Sequence, residues 1–260
     1  MKIKHDELIQ SMKALRLYNV SGVYVEYAKR AEKDKFTYEQ YFASLVEYEL
    51  AHRRQNRIKK LKKEAKIPIA KTLEAYNFAI RTGITQKQVE RLATGDFLRQ
   101  GGNIVFYGHF GLGKSHLAAM LTERLCEQGY RCAYHSTNAL INQLLEAKRD
   151  LVLNTLLKKL DQYDLLVCDE LGYIPHTQEG ADLFFQLIAQ RAERKSLLIT
   201  TNLTYSEWDK VFLNPLTTAA AVDRIIHNCQ TFNIGGESWR ALEAKKRTAH
   251  LTELPQLTTQ

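Results

Sequence analysis

The spacing of hydrophobic positions divides the chain into two parts. Up to about residue 66, apolar residues recur every three or four positions, as on the buried face of a helix. The expected helices span about 6–17, 23–32 and 37–66. Gly22 is expected to break the chain between the first two, and Thr37 with Gln40 resembles a capping box at the start of the third. Pro68 ends that helix, so residues 1–68 are expected to form a small all-helical domain.

Beyond residue 73, short apolar runs alternate with helical patterns. The expected strands are 104–107, 131–136, 165–169, 196–201 and 231–234. The expected helices are 86–99, 115–128, 138–148, 152–162, 178–193, 206–212 and 217–228. Strands separated by helices favour a parallel sheet covered on both faces, so residues 69–248 are predicted to form an α/β domain. The polar tail, 249–260, is expected to be disordered.

The clearest chemical motif follows the first of these strands. Residues 108–115 read G-x-x-x-x-G-K-S between an apolar run and an amphipathic helix, the context that a phosphate-binding loop requires. Glycines let backbone N–H groups turn toward phosphate oxygens, and the helix dipole adds positive potential. Lys114 is expected to reach the β- and γ-phosphates, and the Ser115 hydroxyl to ligate Mg²⁺. The alternative is a plain glycine-rich turn.

Two acids end the third of the predicted strands. A buried strand would deliver Asp169 to the sheet edge beside the phosphate loop, where it can hold Mg²⁺ through water. Glu170 is then placed to polarise an attacking water. Acids at strand ends are also common caps, but a pair that follows a phosphate loop favours the catalytic interpretation.

Two further polar residues have open interpretations. Asn202 follows the apolar run 197–199 and two threonines, and it could orient the lytic water, sense the γ-phosphate or simply begin a turn. Arg224 follows Asp223 on a predicted helix. It could reach a neighbouring subunit's nucleotide as an arginine finger, or form an ordinary surface ion pair, which composition alone favours.

The net charge of +8 is concentrated near the N-terminus, because residues 1–66 hold 16 Lys and Arg against 9 Asp and Glu. This asymmetry indicates an acidic partner, nucleic acid first. The candidate DNA contacts there are Arg53, Arg54, Arg57, Lys59, Lys60, Lys62 and Lys63. A second basic region holds Lys148, Arg149, Lys158 and Lys159. The alternatives are an acidic protein partner or a solvated charged helix. No sequence-reading motif is present, so binding to duplex DNA is expected to be sequence-neutral.

The remaining composition excludes other classes of protein. The four cysteines lie inside apolar elements and form no C-x-x-C pair, which favours reduced, buried thiols over a zinc site. No apolar run approaches the roughly 20 residues of a membrane span, and the N-terminus has no signal-peptide core. A cytoplasmic protein is therefore expected.

The motifs together resemble the AAA+ ATPases of the helicase-loader clade, and within it the IstB-like transposition helpers of insertion sequences. The resemblance rests on the runs G-x-x-G-x-G-K-S-H-L-A, L-L-V-C-D-E-L-G-Y, T-T-N, D-R-I-I-H and G-G-E-S-W-R. It extends from about Leu15 to Arg240, and it implies an AAA+ P-loop core without the helical C-terminal lid. The loop carries His109-Phe110 where relatives often have Pro-Pro, at positions that tolerate the change.

The resemblance also implies cofactors and roles for individual residues. It implies ATP and Mg²⁺. ATP binding falls on Gly108, His109, Phe110, Gly111, Leu112, Gly113, Lys114, Ser115 and His116. Catalysis falls on Glu170, Asp169, Asn202 and Arg224, with Ser115 and Asp169 at the metal. Arg224 matches an arginine supplied across a subunit interface, whereas the role of Arg240 does not follow from the resemblance.

The function expected from these observations is an ATPase that assembles on duplex DNA as a ring or filament and recruits its cognate transposase. A loader of a replicative helicase, related to DnaC, is the first alternative and would prefer single-stranded DNA. A non-enzymatic ATP-binding scaffold is disfavoured by the intact Asp169-Glu170 pair. A metabolic kinase is disfavoured by the basic N-terminal region and by Asn202.

Overall fold

The computed structural model describes residues 5–68, 76–173 and 177–236. The chain divides into two units, residues 1–60 and 61–260. The division falls inside a helix, before the boundary expected at residue 68, because Leu61 and Ala65 are buried in the core of the second unit. Arg240, the tail expected to be disordered and the region where a lid would follow all lie outside the described residues.

Helices make up the described part of the first unit, as the periodicity predicts. They are α1 (His5–Ala14), α2 (Val20–Lys33) and α3 (Tyr38–Ala65), the last of which continues into the second unit. The capping box at the start of α3 is formed: the Thr37 backbone N–H donates to Gln40 Oε1 at 2.8 Å, and the Gln40 N–H donates to Thr37 Oγ1 at 3.2 Å. The expected break at Gly22 is wrong, since this residue lies inside α2.

A long-range contact explains where α2 begins. The carboxylate of Glu49, buried on α3, accepts hydrogen bonds from the backbone N–H groups of Asn19 and Val20, each at 3.1 Å. The first N–H groups of a helix have no partner within the helix. Glu49 therefore supplies the cap that the local sequence lacks, and the helix starts before Gly22.

The second unit is built on a five-stranded parallel sheet. Its strands are β2 (Asn103–Tyr107), β3 (Cys132–Ser136), β4 (Leu165–Leu171), β5 (Ser196–Thr201) and β6 (Cys229–Asn233). Their order across the sheet is β3-β4-β5-β2-β6. All five predicted strands are confirmed. Successive residues of β2 bury into opposite sides of the sheet, so Ile104 and Phe106 lie in one apolar cluster and Val105 in the other.

Two further helices precede β2, and the others connect the successive strands of the sheet. They are α4 (Gln86–Ala93), α5 (Asp96–Arg99), α6 (Lys114–Glu127), α7 (Thr137–Arg149), α8 (Leu153–Asp161), α9 (Gln178–Arg191), α10 (Asp209–Phe212) and α11 (Pro215–Ile226), with single 3₁₀ turns at Phe78–Ile80 and Tyr205–Glu207. The helix expected over 86–99 is divided in two. Gly95 adopts a φ of +79° between the halves, and the Tyr130 ring packs where a Cβ would stand.

A small antiparallel sheet was not predicted. It pairs β1 (Arg81–Thr82) with β7 (Gly235–Gly236). Neither segment has an apolar pattern, and they are distant in the sequence. Across the described ranges, no helix combines the length and apolar character needed to cross a bilayer.

Candidate nucleotide site

The phosphate loop connects the end of β2 to the start of α6. Gly108, Gly111 and Gly113 adopt φ values of +145°, +76° and +87°, a region that side chains disfavour. Two of these glycines are also required by space. A Cβ on Gly108 would stand 2.2 Å from the carbonyl oxygen of Ile234, and one on Gly113 would stand 2.8 Å from Cε2 of Tyr76. The loop can therefore wrap closely only with glycine at both positions.

Lys114 is folded over this loop. Its ammonium donates hydrogen bonds to the carbonyl oxygens of Gly108 at 2.7 Å and His109 at 2.8 Å. Burial lowers the pKa of Lys114, while the nearby carboxylates of Asp169 and Glu170 act in the opposite direction. The loop thus holds a partly desolvated cation between its own carbonyl groups and two acids, as a site for phosphate oxygens requires.

Asp169 is buried at the end of β4 and both of its carboxylate oxygens accept hydrogen bonds. The Tyr134 hydroxyl donates to Oδ2 at 2.7 Å, and the Thr200 hydroxyl donates to Oδ1. Burial, with the added effect of the Asp169 charge, raises the pKa of Tyr134, so this phenol stays protonated as a donor. The Asp169 carboxylate is therefore held from two sides.

Glu170 follows in an unusual backbone conformation. Its φ is +62°, and its side chain is exposed toward the cleft. Its backbone N–H donates to Thr200 Oγ1 at 2.9 Å. A carboxylate in this position can accept a proton from a water molecule in the cleft.

A cleft of about 420 Å³ brings these groups together. It is lined by Tyr76, Asn77, Arg81, Phe110, Gly111, Leu112, Gly113, Lys114, Ser115, His116, Glu170, Tyr173, Thr200, Thr201 and Asn202. Asn202 thus lies in the cleft with the loop and Glu170. Gly108 and His109 contribute the carbonyl oxygens that hold Lys114, and Asp169 lies behind the cleft against Thr200.

Sequence reasoning missed several of these lining residues. Tyr76 and Arg81 are buried there, and the Tyr76 ring lies edge-on to His116 with centroids 5.4 Å apart. Burial raises the pKa of Tyr76 to about 12. Thr200 and Thr201 were overlooked although they stand at the polar end of an apolar strand, next to Asn202. Their place at the end of this strand was the sequence feature that could have identified them as lining residues.

The same edge of the sheet offers ligands for a divalent cation. The Tyr134 hydroxyl, bonded to Asp169, lies 3.4 Å from the Ser115 carbonyl oxygen, which places the first turn of α6 beside the Asp169 carboxylate. Hydroxyl, carboxylate and phosphate oxygens are the ligands Mg²⁺ prefers. The described residues contain no cluster of three or more His, Cys, Asp or Glu that could hold a metal. The donor set fits a Mg²⁺ that is shared with phosphates and water.

Arg224 is not among the residues that line this cleft. It is exposed on α11, donates to the carbonyl oxygen of Ala220 at 2.9 Å, and lies over the Phe185 ring at 5.2 Å. It forms no ion pair with Asp223 or any other acid in the described ranges. The surface ion pair that composition favours is therefore absent, and Arg224 faces outward.

The candidate DNA contacts differ in their surroundings. The exposed candidates on α3 include Arg54, Arg57, Lys59, Lys60 and Lys63. Arg53 pairs with Glu49 at 2.8 Å, and Lys62 pairs with Glu123 and Glu127. In the second region, Lys148 pairs with Glu179 and Arg149 with Asp150, whereas Lys158 and Lys159 are exposed on α8. The carboxylates that hold Arg53, Lys62, Lys148 and Arg149 would compete with a phosphate backbone for these four cations.

Comparison with known proteins agrees with the geometry. Residues 10–248 match the family described as "IstB-like ATP binding protein". An insertion-sequence ATP-binding protein of Sinorhizobium fredii is 38% identical over 236 residues, which cover 89% of this chain and 79% of the relative. The IS21 ATP-binding protein of Pseudomonas aeruginosa is 32% identical over 240 residues, 92% of this chain and 91% of the relative.

Solved structures with the same fold include replication proteins. The DnaC helicase loader has a TM-score of 0.51 at 22% identity, over 64% of this chain and 97% of its own. AMPPCP-bound DnaA from Aquifex aeolicus has a TM-score of 0.52 at 18% identity, over 74% of this chain and 59% of its own. These likenesses establish an AAA+ P-loop fold. With its phosphate loop and paired acids on that fold, the chain belongs to the IstB-like family of insertion-sequence ATP-binding proteins.

Proposed function

We propose that this protein is an ATP-dependent, DNA-binding helper of transposition. It assembles on duplex DNA, recruits or stimulates its cognate transposase, and is released when ATP is hydrolysed. The observation that carries the proposal is the cleft in which Lys114, Ser115, Glu170 and Asn202 meet. The insertion-sequence relatives support the transposition context.

The residues of the cleft have separate tasks in hydrolysis. Lys114 exchanges its carbonyl partners for the β- and γ-phosphate oxygens of ATP, while backbone N–H groups of the loop hold the phosphate chain. Ser115 and Asp169 would hold Mg²⁺, which neutralises charge on the phosphates. Glu170 polarises the water whose oxygen attacks the γ-phosphorus. The bond to the β,γ-bridging oxygen breaks, and ADP and phosphate leave.

Arg224 completes the site of a neighbouring subunit. It does not line the cleft of its own chain and faces outward on α11. A guanidinium delivered in trans can stabilise charge on the transferring phosphoryl group, with effects on the order of 10³-fold or more in rate. Assembly and hydrolysis are coupled as a consequence, because a subunit without a neighbour has an incomplete site.

DNA binding falls to the exposed cations of α3 and α8. Their contacts are with phosphates rather than base edges, so affinity depends steeply on salt and weakly on sequence. The exposed side chains to which we assign these contacts are Arg54, Arg57, Lys59, Lys60, Lys63, Lys158 and Lys159. Successive subunits on DNA would repeat this set along the duplex.

The first test measures ATP turnover by the purified protein alone, with duplex DNA, and with single-stranded DNA of equal length. We expect stimulation and ATP-dependent assembly with duplex. Glu170→Gln should still bind ATP and assemble but not turn over, and Lys114→Ala should lose nucleotide affinity. A preference for single strands would indicate the helicase-loader function instead. No response to either DNA would refute DNA as the partner.

The second test asks whether Arg224 acts in trans. Lys114→Ala and Arg224→Ala are each expected to be inactive alone. Mixed together on duplex DNA, they should regain part of the ATPase activity. In such a mixture, the intact cleft of an Arg224→Ala subunit can receive Arg224 from a Lys114→Ala neighbour. Activity that stays absent in the mixture, while co-assembly is verified by crosslinking, would exclude a role across subunits.

A further inference from the structure

The two acids of the site pose a geometric problem. Successive side chains of a regular strand point to opposite faces of the sheet, so a regular β4 would not place Glu170 in the lining of the cleft and Asp169 directly behind it. The pairing of β4 with β5 shows how this is avoided. Cys168 lies opposite Ile199 and Leu171 lies opposite Thr201, which leaves two residues of β4 facing Thr200 alone.

This irregularity is a β-bulge with Glu170 in the left-handed region, at a φ of +62°. A bulge interrupts the ladder of backbone hydrogen bonds and re-aims a side chain. It also removes the regular acceptor for a backbone N–H. A non-glycine residue stays in this conformation only where its surroundings hold it there.

The hydroxyl of Thr200 holds both acids at once. Oγ1 accepts a hydrogen bond from the Glu170 backbone N–H at 2.9 Å and donates one to Asp169 Oδ1. Thr200 is only 1% exposed, so water cannot easily replace it. A hydroxyl carries one donor and two acceptor sites, so it can make both bonds. Valine has the same shape but can make neither.

We propose that Thr200 is a positioning residue for ATP hydrolysis, which fixes the bulge that turns Glu170 into the cleft while it orients the Asp169 carboxylate. This inference rests on the proposed function, because it concerns how the same site hydrolyses ATP. The Tyr134 hydroxyl bonds to the Asp169 carboxylate and, at 3.4 Å, to the Ser115 carbonyl oxygen, but it makes no bond to the Glu170 backbone. Thr200 therefore acts on the placement of Glu170 in a way that Tyr134 cannot.

The test compares Thr200→Val with Thr200→Ser in the full chain, on duplex DNA. In Thr200→Val we expect kcat to fall about tenfold or more, as small misplacements of catalytic groups do. The dissociation constant for ADP, which makes no use of Glu170, should stay within about threefold of wild type. Thr200→Ser keeps the hydroxyl and should restore most of kcat. Tyr134→Phe should reduce kcat less than Thr200→Val.

Thr122→Val is the matched control for loss of a buried hydroxyl. Thr122 is fully buried on α6, and its hydroxyl donates to the Ala118 carbonyl oxygen at 2.6 Å, away from the cleft. The kcat of the Thr122→Val variant should equal that of wild type. If Thr200→Val does not fold, Thr200→Ala is compared with Thr200→Ser in the same way.

Two results would overturn the inference. One is a kcat for the hydroxyl-free variant close to that of wild type. The other is a Thr200→Ser variant as slow as the hydroxyl-free one. In either case a wild-type protein that turns over ATP leaves the proposed function standing. A wild-type protein that does not turn over ATP, with duplex DNA present, refutes the proposed function itself.

Discussion

The ammonium of Lys62 lies 2.8 Å from a carboxylate oxygen of Glu123 and 2.8 Å from one of Glu127. Burial opposes the charged form of Lys62, but the hydrogen bonds to these two acids outweigh it and raise its pKa. Lys62 belongs to the basic run in which DNA contacts were predicted. Its charge is engaged within the second unit, whereas its neighbour Lys63 is exposed.

Lys62 and Lys63 are therefore expected to respond differently to substitution. Lys63→Ala should weaken duplex binding and lower the slope of log affinity against log salt by about 0.9, the value for one phosphate contact. Lys62→Met should leave that slope unchanged and lower the thermal midpoint, since Glu123 and Glu127 lose their shared partner. Fluorescence anisotropy over a salt series measures the slope. Equal slopes for both variants would show that neither or both contact phosphate.

Gly113 is expected to tolerate no side chain, because Tyr76 occupies the space beside it. Gly113→Ala should lower nucleotide affinity more than tenfold, as the loop must shift. Gly129→Ala is the matched control: its φ of +94° resembles the +87° of Gly113, but a Cβ there meets nothing within 4 Å. That control should lose only the roughly 1–2 kcal/mol of left-handed strain and bind nucleotide normally. Comparable nucleotide affinity in the two variants would contradict the claim that Tyr76 excludes a side chain at Gly113.

The cap formed by Glu49 should make α2 sensitive to pH. Burial opposes the charged form of Glu49, but hydrogen bonds from Arg53, Val20 and Asn19 prevail and hold its pKa below the ordinary value of 4.5. A lowered folded-state pKa gives stability that is present above the unfolded value and is lost as pH falls through the folded one. Glu49→Gln should destabilise α2 by roughly 1–3 kcal/mol at neutral pH.

Hydrogen exchange of the α2 amides, read by mass spectrometry, measures this effect in the full chain. The difference between wild type and Glu49→Gln should shrink below pH 4.5. Glu47→Gln removes an exposed carboxylate from α3, the helix that carries Glu49. It should change the free energy of opening of the α2 amides by under about 0.5 kcal/mol. A difference that is constant over the acid range would exclude Glu49 as the titrating cap.

Arg191 is expected to be a structural requirement of the second unit. It is 0% exposed, and its guanidinium donates to the carbonyl oxygens of Leu160 at 2.8 Å, Tyr163 at 3.0 Å and Ser196 at 2.9 Å. Burial lowers its pKa to about 10, so it remains charged at neutral pH. The ammonium of a lysine cannot reproduce the planar arrangement of donors with which the guanidinium reaches these three carbonyl groups.

Arg191→Lys should therefore reduce the free energy of unfolding by about 2–4 kcal/mol, because buried carbonyl groups lose their donors. Arg194→Lys is the control: Arg194 pairs with Asp161 at 2.6 Å but is largely exposed, and exposed pairs contribute about 0–1 kcal/mol. Urea denaturation followed by tryptophan fluorescence compares the two. Similar losses of unfolding free energy in both variants would refute the structural requirement for Arg191.

The features that were predictable from the sequence are those carried by neighbouring residues. Buried parallel strands are continuous apolar runs, so each of the five strands was predicted to within a few positions of its bounds. The loop from Gly108 to Ser115 is likewise a local pattern of glycines, a cation and a hydroxyl. Its backbone conformation follows directly from residue type.

Features that depend on distant partners were not predictable. The local pattern favoured a break at Gly22, but Glu49 caps α2 upstream of it. One continuous pattern over 86–99 became two helices around Gly95, where Tyr130 packs. The short β1 and β7 segments carry no apolar signal, and only their pairing defines them as strands.

The chain's chemistry therefore has two origins. The roles predicted for Lys114, Ser115, Asp169 and Glu170 come from local motifs, because a glycine loop and an apolar strand are patterns of consecutive residues. Their geometry comes from elsewhere. A bulge opposite Thr200 turns Glu170 into the cleft. Lys62, near the C-terminal end of α3, forms ion pairs with Glu123 and Glu127 of α6, whereas Lys63 is exposed. Hydrogen bonds and ion pairs between distant segments exist only once the chain has folded, so residue type alone does not specify them.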